Sequence, residues 1–176
     1  FLTKIHTALP AMQPNSAIAL VLCAIAVILT ADERSSKNGR VIACTIAAAV
    51  FVFGLLTLGE YLFSWELGID MPVGRDGDPR LFPGRSSPQT AANFAILGVA
   101  LLIYNLRRRS IRLGQVCSLI IAVNAIVAMT GYIFSTRAFY GLPAIHSDTG
   151  MSVLTAVGFV LLALALLCSR PGEGMM

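Results

Sequence analysis

Glu60 is the one acidic residue inside the apolar stretches of this sequence, within about one helical turn of the end of the hydrophobic run from Val41 to Leu62. A carboxylate there is costly unless paired or wetted. It reads as a ligand or proton sensor, or else as an interfacial group bonded to a neighbouring helix start. On the interfacial reading water reaches the carboxylate, and Glu60→Gln leaves folding largely intact. Asn93 and Asn124 lie deeper in two further apolar runs. Carboxamides so placed act as glue between helices, at about 0.6 kcal/mol each.

His6 and His146 precede the similar Ser16-Ala17 and Thr155-Ala156 steps, with Met12, Met71 and Met151 nearby. Imidazole and thioether suit copper or haem iron. Two lone histidines have no ligand spacing, however, and a bis-haem cytochrome would carry paired histidines inside its spans. No metal site is expected; His6 and His146 are the residues one would use. Asp76-Gly77-Asp78 resembles a piece of a calcium loop but lacks the series of oxygen ligands and the terminal glutamate, so it reads as a turn. Trp65 fits an interfacial anchor. With Tyr140, Phe139 and the connection 66–86 it outlines a shallow recognition surface, polar above and aromatic at the rim. The candidates for sensing a ligand are therefore Glu60, Trp65, Asn93, Asn124 and Tyr140. No nucleophile elbow, phosphate loop, zinc-protease motif or paired catalytic carboxylates occur, so no enzymatic chemistry is expected within this segment, and no cofactor is assigned.

The elements that hold these residues are membrane spans. Hydrophobic residues make up 56% of the 176 and charged residues only 12%, against roughly 25% charge in a soluble domain. The net charge of +4 comes from basic residues in short loops beside apolar runs, which orients a membrane protein and does not form a nucleic-acid face. Cys23, Cys44, Cys117 and Cys168 lie in or beside the spans and read as reduced packing residues. The partners implied are the lipid bilayer and a second copy or a larger membrane complex.

Five spans are predicted, at about 14–30, 41–62, 88–106, 113–134 and 152–168, all in one helical domain. The third has the clearest ends. Ser87 suits an N-cap and Pro88 the first helical position; 19 residues later Arg107, Arg108 and Arg109 stop the helix at a headgroup surface, after about 28 Å. The connections 32–40 and 107–113 and the C-terminal tail hold eight Lys and Arg, and the other connections and the N-terminal segment hold five. The C-terminus is therefore expected in the cytoplasm and the N-terminus outside.

An internal repeat runs through the spans. MQPNSAIAL, SSPQTAANF and MSVLTAVGF match at the starts of the first, third and fifth, and Tyr61-Leu62-Phe63-Ser64 ends the second as Tyr132-Ile133-Phe134-Ser135 ends the fourth. The unit is an outward helix, an outer loop and a returning helix, and small residues at the returning start allow close approach. The first returning helix lacks a feeder. A sixth span is therefore expected before Phe1, with a groove or that further helix beside the first and fifth helices.

The runs GEYLFSWELGID, PGRSSPQTAANFAILGVALLIY and GYIFS with TGMSVLTAVGFVLLALALL resemble the N-terminal multi-span membrane modules of bacterial sensor histidine kinases and diguanylate cyclases. Ser86 stands where that pattern often has Met. The resemblance implies a sensory input module of the bacterial inner membrane, relaying a ligand or membrane-state signal to a fused cytoplasmic kinase or cyclase domain. The alternative is a non-catalytic accessory subunit that packs its small-residue faces against a larger membrane complex.

Overall fold

The computed structural model describes residues 12–31, 36–63, 67–68, 85–106, 111–136, 139 and 150–169. They form five α-helices: α1 Pro14–Ala31, α2 Lys37–Phe63, α3 Pro88–Leu106, α4 Ile111–Ile133 and α5 Val153–Cys168. No strand occurs among them. The first four are long and apolar enough to cross a membrane; α5, at 16 residues, is shorter, about 24 Å.

Local chemistry sets most of the helix ends. Ser87 caps α3: its Oγ accepts the Thr90 N–H at 3.3 Å and meets Thr90 Oγ1 at 2.9 Å. Ser152 does the same for α5, at 3.2 Å to Thr155 N and 2.8 Å to Thr155 Oγ1. α2 starts four residues before the expected Val41. Ser36 Oγ accepts the Gly39 N–H at 3.2 Å, and the polar Lys37-Asn38-Gly39-Arg40 joins the helix. Arg40 is held there from outside its own helix, since its Nε donates to the Asn105 carbonyl at the end of α3 at 2.6 Å. The turn after α4 puts Ser135 in the left-handed region, φ 54°, with Thr136 N–H bonded back to the Gly131 carbonyl at 2.8 Å.

The helices pack in chain order as a ring, each against the next, with α5 returning to α1 and α3 also touching α1. α3 is the axis: 61% of its membrane-length window is buried, against 28–39% in α1, α2 and α4. Register follows from facing residues. Gly54 of α2 lies against Ala91 and Ala95 of α3, and Gly98 of α3 lies against Ala47 and Phe51 of α2, so the two helices run antiparallel. A Cβ on Gly54 would stand 2.6 Å from the Ala91 carbonyl oxygen and from the Ala95 nitrogen, and one on Gly98 2.7 Å from the Ala47 carbonyl oxygen. The closest seam of the bundle is thus backbone against backbone, the way helices associate in lipid, where apolar burial supplies little drive.

α1 and α3 run parallel, joined at one end by Ser16 and Ser86, whose hydroxyls are 2.8 Å apart, and at the other by Asn105 Nδ2 donating to Thr30 Oγ1 at 2.8 Å. In the centre the Phe94 ring stands edge-on to Phe53 of α2 at 5.8 Å and to Phe159 of α5 at 4.9 Å. The groove expected beside α1 and α5 is closed at this level. The two helices pack together, and a Cβ on Gly158 would stand 2.9 Å from Cδ1 of Leu20. Glycine at 158 lets α5 approach where a larger residue would hold it off, so a ring closes with the five helices present.

Candidate functional site

At the upper rim, where α1, α3 and α5 start and α2 and α4 end, the helix ends are tied by side chains that the repeat places there. Tyr61, in the last turn of α2, donates its hydroxyl to the Ser86 carbonyl at 3.0 Å. Tyr132, in the last turn of α4, donates its hydroxyl to the Met151 carbonyl. Each acceptor is the residue before an N-cap serine, so each hairpin closes by the same clasp. The copies differ at the acceptor. Met151 is buried apolar, whereas Ser86 turns its own hydroxyl to Ser16 and brings α1 into the joint.

Glu60 lies within this joint. Its side chain is wholly buried, and Oε2 is 3.5 Å from Nε of Arg85, itself only 4% exposed. Oε1 accepts the Leu67 N–H at 3.1 Å. The Arg85 guanidinium also lies over the Tyr61 ring, 5.4 Å from its centre. Glu60 is therefore not the wetted interfacial carboxylate of the sequence reading. Arg85 and the Leu67 amide take the place of water, because both ends of the connection between α2 and α3 fold inward over the end of α2. A pair removed from water to this degree loses several kcal/mol of hydration per ion, and holds only while both partners stay.

The ion pair is long. Charge-assisted N–H···O bonds settle near 2.7–2.9 Å; here Oε2 makes no hydrogen bond to any of the described residues. The arrangement supplies no nucleophile, no second carboxylate and no metal cluster: among the described residues no three His, Cys, Asp or Glu side chains could hold a metal ion. What it can do is hold or release the junction of three helices according to whether two opposite charges stay together.

Asn93 and Asn124 form a second, separate pair. Asn124 Nδ2 donates to Asn93 Oδ1 at 2.8 Å, joining α4 to α3. Asn93 is five residues into α3, about 8 Å below its first residue, so the structure brings the two carboxamides together but not to Glu60. Asn93 is fully buried, and its Nδ2 has no acceptor among the described residues. Trp65, Tyr140, His6, His146 and the turn at 76–78 lie outside the described residues. Phe139 is exposed, and its carbonyl accepts from Gln89 Nε2 at 3.2 Å.

Sequence reasoning missed Arg85, Tyr61, Ser86 and Ser16 as members of one cluster. A signal was present. Glu60 needs a cation at its own end of the bundle, and Arg85, two residues before the α3 cap, is the cation tethered nearest that end. No protein-family model, curated protein or solved structure matches this chain.

Proposed function

We propose that the chain is a sensory input module of the bacterial cytoplasmic membrane, crossing the bilayer five times with its C-terminus in the cytoplasm. It responds to a small apolar or amphipathic ligand, or to the state of the membrane, and passes a helix displacement through α5 to a cytoplasmic output domain. The observation that carries this reading is the buried Glu60–Arg85 pair, held at 3.5 Å at the junction of α1, α2 and α3. A pair at that distance has interaction left to gain by closing and is weakened by any polar group that reaches either partner. Contacts run from it across the bundle. Arg85 adjoins Ser86, Ser86 is bonded to Ser16 of α1, and Leu20, one turn further along α1, sits on Gly158 of α5. The eight-to-five distribution of basic residues supports the orientation. At about 24 Å, α5 spans a core of about 30 Å with modest local thinning.

The alternative, an accessory subunit, would use small-residue helix faces for contacts with a larger complex. The principal such faces, Ala43, Ala47 and Gly54 on α2 and Ala91, Ala95 and Gly98 on α3, are buried, and the α2–α3 seam occupies them. Paired spin labels at Lys37 and at Cys168, whose side chain is exposed, read the lower ends of α2 and α5 in lipid nanodiscs. An input module shows a changed label separation when Glu60→Gln or Arg85→Gln breaks the pair. An unchanged separation in both variants, with a stoichiometric large partner on native purification, establishes the subunit reading instead.

A further inference from the structure

Asn124 is the one polar residue in a shallow apolar groove of about 440 Å³ on α4, walled by Leu119, Ile120, Val123 and Val127. The walls are 39–53% exposed and face away from the bundle. Asn124 sits two residues past the middle of α4, within about 3 Å of the helix midpoint and so deep in the hydrocarbon. One Nδ2 hydrogen goes to Asn93. Among the described residues nothing takes the second hydrogen or the Oδ1 acceptor, and Oδ1 is not enclosed by them. Asn93 does not satisfy it, since Asn93 Nδ2 is itself buried without an acceptor among those residues. Acyl chains carry no donor, so a bare carbonyl oxygen in hydrocarbon is strongly disfavoured.

We propose that this face of α4 is a homodimer interface, in which the Asn124 carboxamides of two copies pair reciprocally, each donating its second Nδ2 hydrogen to the other's Oδ1. The donor and acceptor left over are adjacent atoms of one group, so the group is complementary to itself. Two copies inserted in the same orientation and related by a two-fold axis along the membrane normal present Asn124 to Asn124 at equal depth. A partner without a polar side chain at that depth leaves both atoms bare. Leu113, Val116, Ile120, Val123 and Val127, all exposed, follow the alternating three-and-four spacing of a left-handed helix pair, and a single polar residue beside such a seam fixes its register. The inference needs only that α4 spans the bilayer and is independent of the sensory reading.

Cys117 lies seven residues before Asn124, on nearly the same side of α4, and is partly exposed, so it reports on this face. The full chain with Cys117 as its only cysteine is oxidised with copper phenanthroline in membrane vesicles. A covalent dimer is expected, falling several-fold in Asn124→Leu and in Ile120→Trp. Ile120→Trp leaves both carboxamides in place and reads the interface even where Asn124→Leu does not fold. No dimer at any expression level overturns the proposal. So does a dimer unchanged in Ile120→Trp, or an adduct formed only with a different protein.

Discussion

The Tyr61 hydroxyl reaches the carbonyl of Ser86 across 3.0 Å, and through it the last turn of α2 is fastened to the residue that precedes the cap of α3. Tyr132 and Met151 repeat the relationship between α4 and α5. Phenylalanine keeps the ring and removes the hydroxyl that makes the clasp, so Tyr61→Phe and Tyr132→Phe should each cost about 1 kcal/mol for that hydrogen bond. Reversible unfolding in mixed micelles measures this. An equal loss in both would mark the clasps as equivalent; no loss in either would show that they do not hold the hairpins.

Replacing Arg85 leaves the buried Glu60 carboxylate without the cation that faces it, and replacing Glu60 removes the carboxylate that faces Arg85. Arg85→Gln should destabilise by about 3–5 kcal/mol, and Glu60→Gln by a similar amount. The double substitution restores neutrality and should recover much of the loss. A double-mutant cycle in the same micelles gives the coupling directly. Additive losses would mean that the two side chains do not interact.

The seam of α2 and α3 has no room for a side chain at two of its glycines. Gly98→Ala sets a methyl against the Ala47 carbonyl and the Phe51 side chain, and Gly54→Ala sets one against backbone atoms of Ala91 and Ala95. Each should cost about 1–3 kcal/mol by forcing the helices apart. Gly59, with nothing within 4 Å of its added Cβ, is the control. Gly59→Ala should be neutral or stabilising by up to about 1 kcal/mol, because alanine favours the helix. Thermal aggregation midpoints in detergent rank the three, and a Gly59 variant as unstable as the others would remove the steric explanation.

Orientation is checked by labelling. A cysteine at Leu67, exposed at the upper rim, should react with an impermeant maleimide added outside intact cells. A cysteine at Lys37, at the opposite end of α2 and also exposed, should react only after permeabilisation. The reverse pattern inverts the molecule.

The helices were legible because local groups define them. Pro88 after Ser87 and the arginines after Leu106 bracket α3 at the residues observed, and the two tyrosine-ended helices and the Ser/Thr-Ala starts lie where the repeat placed them. What escaped depended on contacts distant in sequence. The first turn of α2 reads as a polar loop until Arg40 meets the end of α3, 65 residues away. Glu60 reads as wetted until Arg85, 25 residues later, covers it. The depth of Asn93 and Asn124 was visible in the sequence, but their pairing with each other needed the antiparallel register of α3 and α4.

The unequal lengths of α2 and α5 bear on the surrounding lipid. From Val41 to Phe63 the apolar part of α2 runs about 34 Å, and α5 only about 24 Å, so no single hydrocarbon thickness matches both. A thick bilayer strains the α5 side, a thin one tilts α2, and each ångström of mismatch carries a fraction of a kcal/mol. Because α2 is locked to α3 through their glycines, it cannot tilt alone. A tilt of α2 is therefore a tilt of the α2–α3 pair. A change in bilayer thickness thus meets the α2–α3 pair and α5 with spans that differ by about 10 Å.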